Sequence, residues 1–146
     1  MRTAALTIGS VFLLLLLSGT YCGRDNDEEN NVEIFRTWKF IAFGNLDGSK
    51  SFIQSDNCDE CYTITFYKDT TISGRSIANL IHKKFIISGN QLYFPNGVLS
   101  TFMLEEGDPH TFTEDLEDVQ SFEIKNFELK LFYSDNKFLL FNPKTR

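Results

Sequence analysis

From Val32 to the end of the chain, apolar side chains recur at every second residue between short turn signals. That period admits half-buried strands and very little else. YTITFYK (62–68) shows it plainly, with Tyr62, Ile64 and Phe66 on one face. RTWKFIAF (36–43) reads as the first strand, and the Asp69-Thr70 turn leads to a short strand over 71–73. KKFIIS (83–88) and QLYF (91–94) flank Gly89-Asn90, a two-residue hairpin turn. Pro95-Asn96-Gly97 turns the chain into VLSTFML (98–104). SFEIK (121–125), FELKLFY (127–133) and KFLLF (137–141) close the chain, with Ser134-Asp135-Asn136 as the last turn.

One segment breaks the period. Asp108 is placed to N-cap a helix and Pro109 suits its first position, where no backbone N–H is needed. Phe112, Leu116 and Val119 then make one apolar stripe. No basic residue follows in the last turn to complement the dipole, so packing of Phe112 and Leu116 on the sheet must hold it. SIANLIH (76–82) reads as a second helical turn or an irregular crossover. The fold class is therefore α+β: a curved antiparallel sheet, barrel-like, with one packed helix. Fifteen phenylalanines against one tryptophan make this a Phe-built core, with Trp38 and Phe112 as its expected anchors.

The first 31 residues are of another kind. Residues 1–21 carry Arg2, an apolar run from Val11 to Leu17 and then Ser18, Gly19 and Thr20, the layout of a secretory signal peptide. The run is shorter than the roughly 20 apolar residues a membrane span needs. Cys22 follows directly and resembles the lipidated cysteine of the bacterial lipobox, with Tyr21 in place of the usual small residue before it. The alternative is cleavage near Thr20 and a plain secreted or periplasmic protein. Residues 22–31 then form the lipidated cysteine and an acidic tether with no aliphatic or aromatic side chain behind it. Asp25, Asp27, Glu28 and Glu29 resemble the surface-export signals of Bacteroidetes lipoproteins, or are simply an acidic linker. The folded domain is residues 32–146.

The order of features from Trp38 onward resembles the META/HslJ family. Trp38 lies in the first strand, Gly74 ends another, and Asn79, Phe85, Gly89-Asn90-Gln91-Leu92 and Thr101-Phe102-Met103 follow in the family's order. Phe112 and Leu116 fit its helix, and Phe122, Ile124, Leu129 and Leu131 its final strands. Many members carry cysteines where this chain has Ala78 and Glu105, so a disulfide between those positions is absent. The resemblance implies a META/HslJ-like fold and an envelope protein tied to stress tolerance, with no enzymatic activity to transfer.

Chemistry-bearing motifs are few. Cys58-Asp59-Glu60-Cys61 reads as a structural disulfide, a pair of free thiols, or a redox or metal half-site. Two acids between the sulfurs should raise the thiol pKa, and no helix N-terminus follows to lower it, which favours the structural disulfide. His82 and His110 have no spacing that completes a zinc site, and each reads as a surface residue. Asn45-Leu46-Asp47-Gly48-Ser49 has only part of a calcium loop's pattern. Glu105, Glu106 and Asp108 read as an acidic loop, and Lys83-Lys84 as protection of a strand edge. No nucleophile–base motif is visible, so no catalytic, metal or cofactor-binding residue is assigned. A net charge of −6 argues against a nucleic-acid partner, and none is expected.

These readings converge on a non-catalytic, lipid-anchored outer-membrane protein facing the periplasm or the cell surface. The membrane is reached through Cys22, and the partner is an envelope protein or another cell-surface component. Two alternatives remain: a lipocalin-like carrier holding an apolar ligand among Phe66, Phe85 and Phe94, and a thiol–disulfide protein using Cys58 and Cys61.

Overall fold

The computed structural model describes residues 33–52, 58–98, 101 and 103–145. The expected signal peptide (1–21), the lipidation site Cys22 and the acidic tether lie outside the described residues.

Strand β1 (Thr37–Asn45) alternates half-buried and buried along its whole length, so Trp38, Phe40 and Ala42 face the core and Thr37, Lys39 and Ile41 face outward. It is followed by β2 (Lys50–Phe52), β3 (Thr63–Phe66), β4 (Thr71–Arg75), β5 (Leu80–Lys84), β6 (Ile86–Ser88) and β7 (Gln91–Tyr93). Helix α1 (Asp108–Glu117) comes next, then β8 (Ser121–Lys125), β9 (Glu128–Ser134) and β10 (Lys137–Pro143). The strands form one antiparallel sheet in the order β5-β4-β3-β1-β10-β9-β8-β7-β6, with β2 also on β1. Its two end strands, β5 and β6, are separated in the chain by Phe85 alone. The sheet thus curls until its edges nearly meet, giving the α+β, barrel-like architecture. A register shift between Phe40 and Ala42 opposite β10 supplies a local bend in β1.

The core is continuous. Trp38 is buried and its Nε1 donates to the Ile34 carbonyl at 2.9 Å, so its one polar atom is satisfied. Phe112 of α1 meets Phe40 at 4.9 Å, Tyr62 at 5.4 Å and Phe141 at 6.2 Å between ring centroids. Leu116 and Val119 complete the buried stripe.

Several expectations about the elements need correction. The helix is capped one residue early: Gly107, at φ 68°, is the N-cap, and Asp108 is the acidic residue of the first turn instead. Residues 83–88 are two strands, because the buried Phe85 sits at a corner. Segment 76–82 is a tight turn followed by β5, closed by Ser76 N–H donating to Asn79 O at 3.0 Å. The described residues of 98–104 form no strand, since Thr101 and Met103 bond to the Asn79 side chain and not to a ladder.

Phe127 is not the start of β9 but part of the β8–β9 turn. Asn126 and Phe127 both have positive φ, 54° and 63°, and Phe127 is 78% exposed. A left-handed backbone costs a side-chain-bearing residue about 1–2 kcal/mol. Phe127→Gly, which makes the Asn-Gly pair this turn favours, is expected to stabilise the protein by about 1 kcal/mol, less the entropy glycine adds to the unfolded chain. A thermal melt with no gain would contradict this.

Candidate functional site

Two polar constructions stand out on this frame. The first is a clamp between the 76–79 turn and the chain before α1. Asn79 is 2% exposed. Its Nδ2 donates to Met103 O (2.9 Å) and Glu105 Oε2 (2.8 Å), and its Oδ1 accepts from Met103 N–H (2.6 Å) and Thr101 Oγ1 (3.2 Å). Glu105 also accepts from Ser76 Oγ (2.6 Å) and Ala78 N–H (2.6 Å). Burial alone would raise the Glu105 carboxyl pKa, but the donors from Ser76, Ala78 and Asn79 outweigh it and hold it below the usual 4.5. Glu105 is therefore no member of a solvated acidic loop. It joins position 105 to position 78 by a hydrogen bond, at the two places where the family resemblance marks a cysteine pair.

The second is a concave groove of about 1490 Å³ over the outward face of β1, β3, β4 and β5. The alternation that buries Trp38, Ile64, Ile72 and Ile81 turns Thr37, Lys39, Thr65, Ser73, Arg75 and His82 to this side. Hydroxyls run along its floor: Thr37 Oγ1 lies 2.8 Å from Thr65 Oγ1, and Tyr67 Oη 2.9 Å from Ser73 Oγ. Each keeps lone pairs for an incoming donor. Arg36, Lys39, Arg75 and Lys144 line it against Asp59 and Glu60, so cations prevail here although acids prevail in the chain. Arg75 Nη2 donates to Ile77 O at 2.7 Å, while its buried Nε has no acceptor among the described residues.

The Cys58–Cys61 turn forms one rim. The two sulfurs are bonded at 1.98 Å, with Cα atoms 5.3 Å apart. Lys39 Nζ reaches across from β1 and donates to Cys58 O (2.8 Å) and Cys61 O (2.5 Å). Glu60 pairs with Lys144, whose hydrogen bond and charge hold the Glu60 carboxyl below its usual range.

The other candidates lie apart. Asp47 Oδ1 is occupied by Ser49 N–H (2.8 Å) and Ser49 Oγ (2.7 Å), which makes 45–49 a self-satisfied turn. Lys83 and Lys84 sit on β5, an end strand of the sheet. His110 pairs with Glu114 on the exposed side of α1, Nε2 to Oε1 3.2 Å. Among the described residues, no three His, Cys, Asp or Glu side chains converge to hold a metal ion.

Solved structures share this architecture. A DUF4847 family protein from Bacteroides vulgatus ATCC 8482 superposes with a TM-score of 0.60 at 13% identity, covering 80% of this chain and 98% of that one. The likeness shows the fold. A protein from Burkholderia xenovorans solved by NMR gives a TM-score of 0.63 at 16% identity, over 98% of this chain and 100% of its own. No family model matches the chain, and no curated protein matches it in sequence.

The groove was not foreseen as a site. Its residues are scattered from Phe35 to Thr145, and each is only the polar half of an ordinary strand alternation. The clamp left one trace, the Asn79 and Thr101-x-Met103 elements of the family resemblance, which the fold brings together.

Proposed function

We propose that the protein is a non-catalytic envelope module of META/HslJ type, lipid-anchored through Cys22, whose groove binds an anionic, hydroxyl-bearing polymer such as an acidic polysaccharide of the cell surface. The observation that carries this reading is the reversal of charge in the groove: four Lys and Arg face two Asp and Glu there, in a chain of net charge −6. Cations gathered on an acidic protein attract an anion to one place and repel it elsewhere. Paired hydroxyls suit sugar oxygens, and the guanidinium of Arg75 suits a carboxylate. Such binding needs no nucleophile or metal.

A carrier of an apolar ligand needs an internal cavity among Phe66, Phe85 and Phe94. Phe66 and Phe85 instead meet edge-on at 5.3 Å, and all three belong to the continuous core. Phe85 and Phe94 do not line the groove.

Two variants test the proposal. Arg75→Glu with Lys144→Glu should weaken binding to an acidic polysaccharide such as polygalacturonate at least about tenfold, or about 1.4 kcal/mol, in protein whose melt shows it to be folded. Equal binding by parent and variant in calorimetry would remove the groove from the account. Cys22→Ser should move the protein from the membrane to the soluble fraction; retention in the membrane would end the lipoprotein reading.

A further inference from the structure

We propose that the Cys58–Cys61 disulfide exchanges with an external dithiol, with Cys58 as the sulfur attacked, so that the rim of the groove is a redox centre as well as a staple. The proposal is independent of what the groove binds. Four observations carry it.

The two sulfurs are unequal. Cys61 is 3% exposed and belongs to the hydrophobic core, while Cys58 is partly exposed and packs at its border. An incoming thiolate therefore reaches Cys58. A donor is also already aimed at Cys58: the Cys61 N–H points to its Sγ at 3.1 Å. Hydrogen bonding of that kind favours a thiolate over a thiol.

The charges around the turn are not those its sequence shows. Asp59 and Glu60 alone would disfavour a thiolate. The fold brings Lys39 from β1 onto the carbonyls of both cysteines, at 2.8 and 2.5 Å, and Lys144 onto Glu60. Glu60 also lies in the field of Arg75. Three cations thus face two acids at this turn. Finally, the bond spans a sequence separation of three, so it restricts the unfolded chain little, and a purely structural role has little to offer.

The step balances as ordinary exchange. A thiolate of the dithiol bonds to Cys58 Sγ as the Cys58–Cys61 bond breaks, and Cys61 leaves with the electron pair and takes a proton. The second thiol of the dithiol loses its proton and attacks its own partner sulfur in the mixed disulfide. Cys58 then leaves as the thiolate held by the Cys61 N–H. The dithiol is oxidised to a disulfide, its one remaining proton passes to Cys61, and the protein is reduced to the Cys58 thiolate and the Cys61 thiol.

The test uses the full oxidised chain with dithiothreitol as the dithiol. Alkylation and peptide mass analysis read Cys22, Cys58 and Cys61 separately. The folded protein should be reduced without denaturant. Cys61→Ser should hold a mixed disulfide with glutathione at Cys58, and Cys58→Ser should form none at Cys61 while folded. In the reduced parent, Cys58 should alkylate with a midpoint below the free-thiol value of about 8.5. Lys39→Met should raise that midpoint by about one unit. Its tenfold loss of thiolate at pH 7, partly offset by greater nucleophilicity, should slow alkylation about threefold, and Lys39→Arg should restore the rate. Reduction that requires denaturant, trapping at Cys61, or a Cys58 midpoint at or above the free-thiol value and the same in Lys39→Met would each overturn the proposal.

Discussion

Trp38→Ala is expected to lower stability by about 3–5 kcal/mol and the melting temperature by roughly 10–20 °C. Trp38 is 1% exposed, the largest fully buried side chain, and it lies on the strand that pairs with β2, β3 and β10. Removing the indole leaves a cavity at the centre of the sheet and takes from the Ile34 carbonyl one of its two donors, the other being the Arg36 N–H at 2.8 Å. Trp38→Phe separates the two effects. It keeps most of the volume and loses the hydrogen bond, so it should recover the larger part of the loss. A Trp38→Ala melt equal to that of the parent would mean that β1 does not present this face to the core.

Asn79→Asp should cost about 3–4 kcal/mol at neutral pH, more than a typical core substitution, and the loss should shrink toward pH 4. The amide that donates to Met103 O and to Glu105 Oε2 becomes an oxygen facing both acceptors. A second carboxylate then lies against one whose pKa is held low by its donors. In the parent, the stability linked to ionised Glu105 is present above the unfolded value near 4.5 and is lost as pH falls through the lower folded value. In the variant that term is replaced by repulsion, which protonation relieves, so parent and variant should converge on acidification. Denaturant unfolding at pH 7 and pH 4 measures both. A variant deficit that is constant with pH would show that Glu105 is not ionised against position 79.

What the sequence disclosed followed its local periods. β8 was legible because Phe122 and Ile124 alternate with polar residues, and β1 because Trp38 and Phe40 alternate with Thr37 and Lys39. β2 was not, because Lys50, Ser51 and Phe52 are all exposed and show no alternation at all. The chain over 98–104 looked like a strand because Val98 and Leu104 bracket apolar residues, yet Val98 is buried and Leu104 is 92% exposed. The N–H and C=O of Met103 are satisfied by a side chain 24 residues upstream, which no local pattern records. The environment of Glu105 is illegible for the same reason, its neighbours in sequence including Glu106 and Asp108 and its neighbours in space being donors. The Cys58–Cys61 turn shows only two acids in sequence, while the cations that answer them come from 22 and 84 residues away. The groove was illegible because outward-facing polar residues are what every strand of such a sheet shows. Only their convergence distinguishes Arg75 and Lys144 from other surface cations.

The most direct test of the central claim is a backbone amide NMR titration of the folded protein with oligogalacturonate at moderate ionic strength. Saturable shifts are expected along the groove, at Thr37, Lys39, Thr65, Ser73, Arg75, His82 and Lys144, weakened by added salt and by the Arg75→Glu, Lys144→Glu double replacement. Shifts centred elsewhere, or a titration identical in the double variant, would contradict the assignment of the groove as the binding face.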